Sequence, residues 1–250
     1  MDLLTGKILG FILVITRIGA FFAVSPVFSW KAIPMRTKLA VAILISIFFA
    51  AINTCPVESG DIQFIQVALL LANELIYGLA LGYVAVLIFS TVRLAARICE
   101  RQMGLTMANI LDPLSGENAQ PVAMIMEMIF ILLFLSANGH HLFLMAISKS
   151  YETFPITTTP DIARLTESVI VAGSTMLTLG LKMAVPILSA FLLIMVVLAI
   201  LARIAPETNI LFLSLPLRVG LGLIMVGIFL PFINQFVTEF AQWIDKIMPL

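Results

Sequence analysis

The chain has 250 residues, of which 61% are apolar and only 11% charged, and its 14 basic and 14 acidic residues cancel to a net charge of zero. Soluble domains carry about 25% charged residues, and a chain this apolar, with a mean hydropathy of +1.13, has too few charges to coat the outside of a soluble core. What remains is an all-α, polytopic membrane protein; a disordered chain, a secreted disulfide scaffold and a nucleic-acid-binding domain are excluded.

The first apolar segment runs from about Ile8 to Val24 and is broken by Ser25-Pro26. Lys7 ahead of Ile8–Ile15 imitates a signal peptide, but Arg17 interrupts the run and no small-x-small cleavage site follows, so the segment reads as an uncleaved span. A basic loop with Lys31, Arg36 and Lys38 leads to a short second segment, Leu39–Ile52. After the acidic turn "NTCPVESGD" come Phe64–Val92, Val122–Ser148 with a notch at "SANGHH", Val169–Ala202 and Ile210–Ile233. Six segments of this kind fit one integral-membrane domain over residues 1–250. Lys and Arg gather in the loops at 25–38, 93–120 and 203–209, which places those loops in the cytoplasm and both termini outside.

Three segments are long for a hydrocarbon core of about 30 Å and carry a breaker near the middle: Gly78 and Gly82, Asn138-Gly139, and Pro186. Bent hairpins buried in protein, and tilted helices with ordinary kinks, both fit this pattern. Arg17, Glu74, Glu127 and Lys182 fall within or near the ends of apolar runs, where a charge costs about 2.5–3.5 kcal/mol at the bilayer centre. One reading buries Arg17, Glu74 and Lys182 in an assembly or along a hydrophilic path. The other is local pairing, Arg17 with Glu74, and for Glu127 local pairing is preferred. Cys55 and Cys99 fall in loops on opposite sides and are expected not to pair. His140 and His141, adjacent on a helix, are expected to point apart, and no metal site is expected.

The stretch from 93 to 121, "RLAARICERQMGLTMANILDPLSGENAQP", is the most informative. Arg93, Arg97 and Arg101 recur at helical spacing. Gly104 weakens the helix directly after Met103. Asp112-Pro113 stops any helix, and Pro121 can open the next. The segment is too apolar for a solvated loop and too charged to span. It fits either an interfacial amphipathic helix or a movable element that packs into a pore.

The stretch "RQMGLTMANILDP", then "FLSANGHHLFLMAISKSYETFP" and "ARIAPETNILFLSLPLRVGLGL", together with Arg17, Pro26, Pro34 and Lys38 in the opening region, resemble the FliR family of flagellar biosynthetic proteins and its counterpart, the SctT family of virulence type III secretion systems. The resemblance covers nearly the whole chain, and "APETNI" looks flagellar. It implies a structural, pore-forming subunit of a type III protein export gate in the bacterial inner membrane, within the flagellar basal body, with no enzymatic activity and no cofactor. It implies P-type and Q-type gate subunits as partners, with the B-type substrate-specificity switch subunit and the larger export apparatus, and unfolded proteins as the substrates passed. It also implies bent helical hairpins packed into a multi-subunit helical assembly. The family's plug falls here on Met103, Gly104, Leu105, Met107, Ile110, Leu111, Asp112 and Pro113; Arg101 departs from the small or apolar residue common there. A homologous virulence subunit is the alternative, and a small-molecule secondary transporter a more distant one.

Overall fold

The computed structural model describes residues 2–29, 34–52, 64–105, 120–156, 162–207, 209–210 and 212–228. Every regular element among them is a helix: α1 (Asp2–Val24), α2 (Pro26–Ser29), α3 (Met35–Ile52), α4 (Phe64–Met103), α5 (Pro121–Ser136), α6 (Gly139–Thr153), α7 (Ile162–Ile204) and α8 (Phe212–Ile228). Four of these, α1, α3, α4 and α7, are long and apolar enough to cross a membrane, and the bent pair α5–α6 makes a fifth candidate. The shorter apolar α8 completes the six segments expected from the sequence.

Local chemistry sets the helix ends. Ser25 donates its N–H to the Phe21 carbonyl at 2.9 Å, closing α1, and Pro26 opens α2 with the φ its ring already fixes. Pro34 supplies the carbonyl that receives the N–H groups of Thr37 and Lys38 at the start of α3. Pro121 stands at the first position of α5, where its missing N–H costs nothing.

The expected breaks divide. At Ala137–Asn138 the chain bends by 72°, with Asn138 in the left-handed region at φ 59°. By contrast α4 runs unbroken for 40 residues through Gly78 and Gly82, and α7 for 43 residues with Pro186 inside it. The two glycines of α4 are contact points. A Cβ on Gly78 would lie 2.3 Å from the Arg17 carbonyl oxygen, and one on Gly82 would lie 2.8 Å from the Val24 Cβ. Their spacing, four residues apart, is the small-xxx-small pattern that lets two helix backbones touch. Gly78→Ala is therefore expected to force α1 and α4 apart, at a cost of about 1–3 kcal/mol typical of overpacking, read as a lower unfolding temperature in detergent. An unchanged unfolding temperature would show that the contact is slack.

Among the described residues the chain divides into two compact units, one built from residues up to Ile88 with Asn138–Gly173, the other from Phe89–Ala137 with residues 174–228. In the first, Leu13, Ile18 and Phe21 of α1 are buried with Tyr77 and Leu81 of α4 and Phe143 and Ile147 of α6. Phe21 meets Phe143 edge to face at 5.6 Å, the arrangement that aromatic quadrupoles favour. In the second, Phe89 of α4 packs against Phe130 and Phe134 of α5, with centroids 5.1 and 5.5 Å away. Gly180 of α7 approaches Thr91 and Leu94 of α4 there. Large apolar side chains remain outward on α3 and α7, among them Leu44 at 70% and Leu193 at 68% exposure, as expected of surfaces met by lipid or by partner subunits.

Candidate functional site

Arg17 lies at the centre of the first unit and is completely buried, as is Glu74 at 1%. The guanidinium and carboxylate meet as a two-pronged pair. Nε donates to Oε2 at 2.6 Å and Nη2 to Oε1 at 2.9 Å. Nη1 donates to the Ser150 carbonyl at 3.1 Å and to its hydroxyl oxygen at 3.2 Å, and Nη2 to the Phe154 carbonyl at 3.0 Å. These two carbonyls belong to the C-terminal end of α6, which Pro155 stops and where Phe154 returns its N–H to Ser150. A helix C-terminus presents unbonded carbonyls and partial negative charge, and Arg17 answers both. The Tyr151 and Tyr77 rings lie 4.2 and 5.1 Å from its central carbon, within cation–π range. Arg17 thus ties α1, α4 and the end of α6 together. Its N–H donors are occupied within the chain, so it is a clamp and not a station for passing ions.

The other charges distribute differently. Glu127 of α5 pairs with Arg93 of α4, Arg93 Nε donating at 3.0 Å. Lys182 stands exposed on α7. Cys99 is a buried free thiol, and Cys55 lies outside the described residues. The His140 and His141 rings do not point apart: at the first turn of α6, next to the left-handed Asn138, they face each other with centroids 4.3 Å apart. Among the described residues no group of His, Cys, Asp or Glu could hold a metal ion.

In the second unit the two ends of the 93–121 stretch are held together. Arg97 donates to the Gln120 side chain at 2.9 Å, beside the Arg93–Glu127 pair. Glu100 is 1% exposed, and the first-turn N–H groups of Val122 and Ala123 in α5 face its carboxylate without closing to hydrogen bonds of normal geometry. A carboxylate there complements the positive end of α5. Met103, the last residue of α4, is 1% exposed, and a Cβ on Gly222 of α8 would lie 2.3 Å from its Cγ. Gly104 follows in the left-handed region at φ +80° and donates its N–H to the Arg101 carbonyl. Leu105 is half-buried; Met107, Ile110, Leu111, Asp112 and Pro113 lie outside the described residues.

Sequence reasoning singled out Arg17, Glu74 and the 103–113 segment, took Gly78 for a breaker where it is a helix contact, and missed Ser150, Phe154, Glu100 and Gly222. The spacing of Glu74, Gly78 and Gly82 at four-residue steps was the available signal for the first unit. The backbone carbonyls had none.

Residues 8–243 match the family described as bacterial export proteins, family 1. The chain is 32% identical over 235 residues to a flagellar biosynthetic protein FliR of Pectobacterium carotovorum, covering 92% of this chain and 88% of that one. It is 30% identical over 232 residues to the FliR protein of Escherichia coli K12, covering 93% and 88%. It is 25% identical over 233 residues to the Yop proteins translocation protein T of Yersinia pestis, covering 91% and 88%. With a match that spans almost its whole length and an all-helical, apolar architecture to carry it, the chain belongs to family 1 of the bacterial export proteins.

Proposed function

We propose that the chain is a structural, pore-forming subunit of the flagellar type III protein export gate in the bacterial inner membrane. The observation that carries this is the family match over residues 8–243, with flagellar relatives at 32% and 30% identity. The 25% match to a Yop translocation protein supports a virulence-system subunit as the second reading. P-type and Q-type gate subunits complete the pore, with the B-type switch subunit and the larger export apparatus around it, and unfolded proteins pass through. The subunit catalyses no reaction. Residues 1–250 act as one integral-membrane domain in the basal body. The segment from Met103 to Pro113 is the plug of the closed pore, and the charged contacts of Arg93, Arg97 and Glu100 hold its base.

Co-expression with the other small apolar gate subunits and purification in mild detergent tests the reading. A stable hetero-oligomer is expected. A lone monomer or dimer that binds a small solute would replace the gate by a transporter. The loop charges add a separate expectation: both termini face the periplasm, so a reporter that matures only there, fused after Leu250, is expected to be active. Activity of a cytoplasmic reporter alone would reverse the topology.

A further inference from the structure

Lys182 lies near the middle of α7, 20 residues after Ile162 and 22 before Ile204 in a helix of 43 residues, so each end is about 30 Å away at about 1.5 Å per residue. Its side chain is exposed, and no hydrogen bond or ion pair engages it among the described residues. Exposed apolar neighbours flank it on both sides, Leu177 at 58% and Leu181 at 47% before it, Val185 at 58% after it. The most apolar window of α7 has a mean hydropathy of 2.9.

Lys182 also belongs to a line of exposed polar or interrupted positions. Ser174, Thr178, Lys182, Pro186 and Ser189 follow one another at steps of four or three residues and share one helix face. Thr178 donates its hydroxyl to the Ser174 carbonyl and Ser189 donates to the Pro186 carbonyl, both at 2.8 Å. Their oxygens keep lone pairs for an acceptor role. Pro186 has no N–H to return to the Lys182 carbonyl four residues earlier. At this level of α7 the chain presents an ammonium group with no counter-charge among the described residues, beside a backbone carbonyl that the proline leaves without its helical N–H.

We propose that this face of α7 is the seat of a helix from another membrane subunit, one that carries an aspartate or glutamate carboxylate at the level of Lys182. The inference rests on the export-gate reading and deepens it by naming the chemistry of one partner contact. A bare ammonium in an apolar setting is strongly disfavoured, and side chains of this kind turn toward protein or water. Among the described residues no carboxylate pairs with Lys182. Glu74 and Glu127 are bound to arginines, Glu100 is buried, and Glu167 lies 15 residues earlier on the same helix, about 22 Å away. A second copy seated on the same face would set one Lys182 ammonium against another, and like charges repel. A lipid phosphate would require the apolar surface to end at Lys182, yet exposed Ile170 at 64% and Leu177 at 58% continue it on the N-terminal side. Small hydroxyl-bearing residues in line with the cation suit close helix contact with interhelical hydrogen bonds.

The test uses the full chain in cells that make the whole assembly. A photo-cross-linking amino acid at Thr178 is expected to capture a membrane subunit on a helix with an acidic residue within about two turns of the adduct. Lys182→Glu is expected to lower the yield of that complex about tenfold or more, and Lys182→Arg to retain it. Exchanging the captured carboxylate for lysine in the Lys182→Glu background is expected to restore it. The chain alone should unfold at the same temperature in detergent with either substitution, which separates lost contact from lost folding. Adducts to lipid only, to a second copy of the chain, or to a segment without an acid overturn the proposal, as does a normal yield with Lys182→Glu. If that normal yield comes with an intact hetero-oligomer, the export-gate reading stands and only this contact falls. If the unmodified chain joins no other subunit, both fall.

Discussion

Arg17→Leu is expected to abolish folding of the first unit or lower its stability by about 3–5 kcal/mol, the cost of removing one partner from a buried ion pair. The substitution leaves the Glu74 carboxylate at 1% exposure with no guanidinium, takes the Arg17 donor from the Phe154 carbonyl, and leaves the Ser150 carbonyl with the Phe154 N–H alone. Each buried polar group left without a partner adds to the penalty. Glu74→Gln should be milder, because an amide keeps an acceptor for Arg17 and removes one of two buried charges, though it leaves the guanidinium uncompensated. The double change Arg17→Met with Glu74→Met tests the mechanism most sharply: apolar side chains of similar volume often match or exceed a buried ion pair in stability. Here recovery should be partial, because Arg17 also closes the C-terminal end of α6 and methionine offers no N–H to those carbonyls. Thermal unfolding in detergent, with the amount of chain in the membrane as a second readout, measures all three. Wild-type stability of Arg17→Leu would show that the clamp is redundant. Full recovery in the double variant would show that the α6 carbonyls do not need it.

The clamp also shows what a sequence exposes of such a site. Arg17 and Glu74 are conspicuous because charge is rare in apolar runs, and pairing them is a choice between two residues of opposite sign. The remaining partners are backbone carbonyls, which every residue has, so no residue type betrays them; only the end of α6 before Pro155 hints that carbonyls are open there. Glycine misleads for a physical reason. The missing Cβ both weakens a helix and lets another backbone approach, and the same letter serves either effect. In α4 the second effect prevails, because the contact with α1 at Gly78 and Gly82 offsets what the glycines cost the helix. At Asn138-Gly139 the break is real, because Asn138 takes the left-handed conformation in which no α-helix continues. Pro186 stays within a helix because α7 can leave one carbonyl unbonded without ending. The stop after Met103 was legible, since Gly104 is the residue that tolerates the φ of +80° found there. The seat for Met103 on Gly222 was not, since the two lie more than a hundred residues apart.

That seat gives the plug proposal its second strong prediction. Met103 is buried against a gap that only the absence of a side chain at Gly222 provides. Gly222→Leu must therefore evict Met103 and disturb the point from which the following segment departs. Replacing Met103, Leu105 and Met107 together with serine attacks the same segment by removing apolar surface. Burying one methionine side chain contributes about 1.5–3 kcal/mol, while a closed pore needs a preference of only a few kcal/mol over an open one. Losing several such contacts is enough to tip the balance, and an apolar constriction that loses its side chains also loses its power to exclude water. Both variants, and deletion of part of Leu111–Asn118, are thus expected to assemble with the other gate subunits and to leak small ions or solutes. Gly104→Val should act in the same direction, because a β-branched residue at φ +80° costs about 1–3 kcal/mol in strain. Conductance in membranes holding the whole gate, normalised to the amount of intact complex, decides the matter. Intact complexes of all these variants with no more leak than the unmodified gate would take the plug role away from this segment. Loss of the complex itself would make Met103 and its neighbours a fixed structural element at the end of α4, with the seal of the pore elsewhere.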